Sequence, residues 1–159
     1  NMSIITLNNN SLSSVTSLPA AISTGKILQS VSATDATERT TTSTSFITIS
    51  NTLTVNITPS ATSSKVFVFL STSVYSNETN KSVYLTIYRD STNLGNAQGL
   101  IRFLDQGNTG GGAGTCGLLD SPNTTSQVTY QAYLRCDSGA GGNINANTPG
   151  FITAFEVSA

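Results

Sequence analysis

The run Val66-Phe67-Val68-Phe69-Leu70 is apolar at every position, so a strand built on it is apolar on both faces. One face suits the core of a single sandwich. The other needs cover of its own, from a further segment of the same chain or from a neighbouring subunit. The run is also the longest apolar stretch in the chain, and its five residues fall far short of the ~20 that a membrane helix needs. No basic start followed by an apolar stretch marks a signal peptide, and no membrane insertion is expected. Met2 lies where a natural start would, so the chain is expected to be a whole small protein.

The segments around this run carry the two-residue period of half-buried strands. Leu53, Val55 and Ile57 alternate with Thr54 and Asn56, and Val83, Leu85 and Ile87 alternate with Tyr84, Thr86 and Tyr88. Val128, Tyr130, Ala132, Leu134 and Cys136 share one face of a long strand. Further strands are expected over Ile27 to Ala33, around Phe46 to Ile49, and over Lys65 to Tyr75, Leu100 to Leu104 and Phe151 to Val157, with a short return at Asn143 to Ala146. Gly107 to Gly117 holds six glycines in eleven residues and reads as a flexible loop. Eight or nine short strands without a helical stretch predict an all-β fold, an antiparallel β-sandwich of jelly-roll type, with an Ig-like sandwich as the alternative.

Residues 1 to 24 follow a different pattern. Ile4, Ile5, Leu7, Leu12, Val15 and Leu18 are spread among Ser and Asn with neither a helical nor a strand period. They predict an extended N-terminal arm whose apolar side chains anchor the chain to another surface, ahead of a head domain over residues 25 to 159. Phe67, Phe69, Tyr84 and Tyr88 are the expected subunit-interface residues, the two tyrosines from the polar side of their strand.

Ser, Thr and Asn fill 63 of the 159 positions and charged residues only 9%, against about 25% in average domains. Neutral hydrogen-bonding groups therefore make the surface. With net charge -1 and seven basic residues scattered singly, the chain has no electrostatic footprint for nucleic acid or an anionic membrane. Asn-x-Ser/Thr triplets such as those beginning at Asn9, Asn56, Asn77, Asn80 and Asn123 are what such a composition produces by chance.

The chain contains no His, which removes the usual base of Ser or Cys nucleophiles and leaves no three- or four-ligand zinc set. No spacing singles out a Ser and Lys dyad from Lys26, Lys65 or Lys81. Thr24-Gly25-Lys26 lacks the earlier Gly and the following Ser or Thr of a phosphate loop. Glycan cleavage needs a carboxylate pair, yet Asp35, Glu38, Glu78, Asp90, Asp105, Asp120, Asp137 and Glu156 share no signature and read as loop carboxylates that cap turns. A cation held by Asp105, Asp120 and carbonyls lacks the acidic density of a calcium loop. No enzyme activity, cofactor or metal is expected. Cys116 and Cys136 are open to two readings, a disulfide or small apolar core residues.

The order of several segments resembles a known family. Gly25-Lys26-Ile27-Leu28-Gln29-Ser30-Val31-Ser32-Ala33-Thr34 is similar to the opening of a short β module in tail-fibre and related virion proteins of phages infecting cyanobacteria and marine bacteria. Thr44-Ser45-Phe46, Leu53 to Ser60, Ser63 to Val66, Ile87-Tyr88-Arg89-Asp90 with Leu94-Gly95, Thr129-Tyr130-Gln131 and Ile152 to Val157 resemble its later strands. The resemblance covers about residues 25 to 159. It implies a homotrimeric head at the end of a fibre, located at the virion surface, bound to other virion proteins through the N-terminal arm and presenting loops for host attachment, with a host surface glycan as one partner. It carries no catalytic residues. The chain departs from the family in having no long shaft, which raises the alternative of a capsid decoration or cement protein.

Overall fold

Alternating apolar side chains need a second apolar layer to face, and here each strand finds it across a two-sheet core. The computed structural model describes residues 27–107 and 111–158, and all regular structure in them is β-strand. In chain order the strands are β1 (Ile27–Asp35), β2 (Arg39–Thr41), β3 (Ile47–Thr48), β4 (Thr54–Ile57), β5 (Lys65–Ser76), β6 (Ser82–Arg89), β7 (Thr92–Asn93), β8 (Ile101–Leu104), β9 (Gly111–Asp120), β10 (Val128–Cys136), β11 (Gly142–Ile144) and β12 (Gly150–Val157). All their pairings are antiparallel.

The first sheet runs β1-β12-β5-β9, with β11 and β2 continuing from the far end of β5. The second runs β4-β10-β6-β8, with β3 beside β10 and β7 beside β6. Four strands facing four in this order make a jelly roll, one of the two sandwich types that the strand pattern predicts. Val66, Val68, Leu70, Val74, Ile152 and Ala154 from the first sheet meet Val83, Leu85, Ile87, Tyr130, Ala132 and Leu134 from the second in one core.

Asparagine supplies the sharp turns. Asn80, Asn123, Asn145 and Asn147, together with Asp90, take positive φ, a backbone region that Asn and Asp tolerate best among non-glycine residues. Part of the asparagine surplus is therefore a structural requirement of short strands.

One expectation needs correction. Gly111–Asp120, read as mostly loop, is a ten-residue strand paired with β5 from Val66 to Tyr75. Its glycines are demanded by neighbours: a Cβ on Gly112 would sit 2.8 Å from the Phe103 ring, and one on Gly114 would collide with Val74. Of the two readings of the cysteines, the structure has the one without a disulfide. Cys116 and Cys136 are both free thiols, Cys116 on β9 of the first sheet and Cys136 on β10 of the second.

Candidate assembly surface

Alternation along β5 sends Phe67 and Phe69 outward, opposite the buried Val66, Val68 and Leu70. Register then builds a patch around them. Phe67 lies between Leu119 of β9 and Phe155 of β12, and Phe69 lies beside Gly117. The Phe67 and Phe155 rings stack with centroids 6.5 Å apart, while Phe69 meets Phe151 diagonally at 5.8 Å. Gly117 has no side chain to divide the rings; a Cβ there would come within 3.0 Å of Phe67. Phe67 and Phe151 each keep 38% of their surface exposed and Leu119 keeps 60%.

No described segment lies over this patch. Among the described residues the outer face of β5 therefore stays open, and the second apolar parity of the run Val66 to Leu70 is left without cover. Its border is polar and nearly uncharged: Ser30, Ser32, Thr153, Ser71 and Thr115 surround it, and Lys65 at its end is turned to Ser121, donating from Nζ at 2.7 Å. Beyond Ser71 a shallow groove of about 440 Å³ runs between Ser73, Ala113, Thr148 and Pro149.

The outer face of the second sheet is different, because the chain closes over it. Tyr84 is only 6% exposed. Arg135 lies over its ring at 3.7 Å and is itself held by the Ala97 carbonyl and Gln98 Oε1, while the Tyr84 hydroxyl donates to Asp137. Tyr84 is thus packed within its own chain and offers little to a subunit interface. Tyr88 is half-buried, stacked on Tyr133 at 3.9 Å and tilted against Phe46. The expected pair of open tyrosines is a cation and ring cluster within one subunit.

The carboxylates are engaged in holding loops and strand ends. Asp35 accepts from Ser50 Oγ, the Thr37 N–H and Arg39 Nε. Burial alone would raise its carboxyl, but these donors prevail and hold it at about 2. Glu156 accepts from the Ser60 N–H and hydroxyl and from Gln29. Here too burial works upward and the Ser60 and Gln29 donors carry the carboxyl down to about 2. Asp120 binds Arg89 at 2.8 Å and accepts the Tyr130 hydroxyl at 2.7 Å, tying the end of β9 to the second sheet. Asp137, also pulled upward by burial, is lowered on balance by the Ser82 N–H and Tyr84 hydroxyl. Among the described residues no group of three or more Cys, Asp or Glu is placed to hold a metal ion.

Of the expected interface residues, Phe67 and Phe69 are brought together on an open face, whereas Tyr84 and Tyr88 belong to the covered one. Ile4, Ile5, Leu7, Leu12, Val15 and Leu18 lie outside the described residues. Phe151, Phe155 and Leu119 were not singled out in the sequence. The signal for the first two was present: Phe151, Ile152, Ala154 and Phe155 put apolar groups on both parities, as in β5. Leu119 follows directly on Gly107 to Gly117, the run that reads as loop, and no period in the sequence places it on a strand. Compared with known proteins, the chain matches no family model and no curated protein.

Proposed function

We propose that this chain is a structural protein of a phage particle, a fibre or tail-associated head that acts by assembling with copies of itself and with other particle proteins. The observation that carries the reading is the uncovered, contiguous face of Phe67, Phe69, Phe151, Phe155 and Leu119 on a chain that is only 9% charged; the other exposed large apolar residues, Ile27, Leu28, Ile47 and Leu104, lie on other strands. Contiguous exposed apolar side chains mark sites of association. Two further points support it. The order of motifs over residues 25 to 159 resembles the phage fibre module, and the jelly roll is an architecture used by viral coat and carbohydrate-binding domains, a fold-level analogy.

In this reading three copies turn their phenylalanine faces towards a threefold axis, residues 1 to 24 attach the assembly to the particle, and the outer loops meet the host surface, with a glycan as the expected receptor. Antibodies against residues 27–158 test the location. Bound to purified particles and viewed by electron microscopy, they are expected at fibre or tail positions. Their failure to mark any particle of a phage that encodes the chain overturns the proposal.

A further inference from the structure

Strand β9 is an edge. Its ten residues pair with β5 on one side, and no described strand lies on the other. Exposed edges are usually blunted by Lys, Pro, a bulge or shortness. β9 has none of these: its register against β5 is unbroken from Gly111 to Asp120, and Asp120, its one charge, is bound to Arg89. The opposite margin of the same sheet is managed, because β1 carries a register shift between Ile27 and Gln29 and leans towards the second sheet through Gln29 and Thr58.

We infer that β9 pairs with β9 of a second copy of this chain, antiparallel about a two-fold axis through Thr115. The sequence Gly111-Gly112-Ala113-Gly114-Thr115-Cys116-Gly117-Leu118-Leu119 is self-complementary about that point. Opposed residues in an antiparallel pair project to the same face. With Thr115 opposite itself, Leu119 falls opposite Gly111 of the second copy, Leu118 opposite Gly112, Gly117 opposite Ala113 and Cys116 opposite Gly114. Apart from Thr115, which meets its own copy, every larger side chain meets a glycine or alanine, so both strands approach without a clash. Shifting the axis one residue to Cys116 keeps Leu118 and Leu119 against Gly114 and Ala113, but it sets the two Cys116 side chains against each other and takes Asp120, the partner of Arg89, into the paired stretch opposite Gly112. The bare backbone of a glycine-rich edge offers its hydrogen-bonding groups to the incoming strand, the usual mode of strand addition. The pairing would bring the two phenylalanine faces onto one continuous sheet, and it is a contact separate from any threefold packing of those faces. It holds whether or not the chain belongs to a phage particle.

Cross-linking of the full chain decides the point. In a Cys116→Ala background, Thr115→Cys places two thiols on directly opposed residues, whose Cα atoms in an antiparallel pair are about 4.5 to 5.5 Å apart and so within disulfide reach. Ala113→Cys places them four residues out of register, about 13 Å apart. Under glutathione oxidation the Thr115→Cys chain is expected to give a covalent dimer roughly tenfold faster than Ala113→Cys. Thr115 is exposed, so Thr115→Lys leaves the head folded while setting two lysines against each other, and it is expected to lower the mass measured by sedimentation. Equal cross-linking of the two cysteine variants, or an unchanged mass for Thr115→Lys, overturns the inference.

Discussion

Gln29 donates one hydrogen of its side-chain amide to Glu156 Oε2 at 2.6 Å and the other to the Thr58 carbonyl at 2.6 Å. The contact depends on an irregularity in β1. Ile27 stands opposite Val157, but Gln29 stands opposite Glu156, so one extra residue is taken up at Leu28. That bulge turns Gln29 inward. Glu156, 1% exposed, is thereby satisfied on Oε2 by Gln29 and on Oε1 by Ser60, and the end of the first sheet is fastened to the chain between β4 and β5.

Replacing either partner leaves buried polar atoms without a mate, which costs more than the net worth of the bond. Gln29→Ala is expected to destabilise the head by about 2 kcal/mol, and Glu156→Gln by about 3 kcal/mol because the NH2 of its carboxamide would face a donor, either the Ser60 N–H and hydroxyl or the Gln29 amide. For a chain of this size each kcal/mol is about 3 °C. Thermal melting of the variants checks both values, and a shift near zero would show that the clasp does not hold the sandwich closed.

The same donors predict a pH response. Asp35 and Glu156 each titrate near 2 in the folded chain, down from 3.8 and 4.5. A depressed carboxyl contributes stability that is present above its unfolded value and lost as pH falls through its folded value. The head is therefore expected to keep its stability down to about pH 4.5 and to lose about 2 to 3 kcal/mol per carboxylate between there and pH 2. Denaturant titrations across pH 2 to 7 should show this slope, and Glu156→Gln should flatten about half of it.

What the sequence reveals about this fold follows from where its period is carried. In β4, β6 and β10 apolar side chains alternate with Thr, Asn, Gln, Arg or Tyr, and those strands are legible to within a residue or two. β9 is not, because glycine has no side chain with which to show a period. It becomes a strand because β5 offers it an edge and because Val74 and Phe103 occupy the space its side chains would need. Half of the candidate surface was legible for the same reason: Phe67 and Phe69 break an alternation, while Leu119 depends on recognising β9. Tyr84 had the right parity for exposure, yet Arg135 covers it, and no local pattern reports a contact between strands β6 and β10.

The glycine requirement of β9 can be measured directly. At Gly114 a Cβ would collide with Val74 and lie 3.2 Å from Leu85. Gly114→Ala is expected to destabilise by about 1 to 3 kcal/mol, the usual result of overpacking, although alanine suits a strand no worse than glycine. Thr115→Ala next to it, on the outer side, should change stability by less than about 0.5 kcal/mol. Equal effects at the two positions would mean that the strand is not packed as described.

Both thiols should be slow to react in the folded protein. Burial pushes the Cys116 thiol up to about 11. Burial likewise raises Cys136, whose Sγ lies 3.3 Å from the Ala140 carbonyl and 3.4 Å from that of Ser43. The reactive species is the thiolate, scarce at pH 7 for such groups. Alkylation followed by mass spectrometry is expected to label neither site quickly in the native chain and both after unfolding. A native mass lower by two hydrogens, restored on reduction, would restore the disulfide.

The last expectation concerns the open face, because the core and the patch make opposite predictions for the same residue type. Phe67 and Phe151 project away from the core, so Phe67→Ser and Phe151→Ser should alter folding stability by no more than about 1 kcal/mol. If copies meet on this face, each ring removed should weaken association by about 2 kcal/mol, the scale of one buried phenylalanine, or roughly thirtyfold in the association constant. Sedimentation equilibrium separates the two effects: the wild-type chain should run as an assembly at micromolar concentration, and the double variant at a lower mass, no more than the dimer that β9 pairing alone would hold. A double variant that keeps the wild-type mass would remove this face from assembly and leave the paired edges of β9 as the surviving contact between copies.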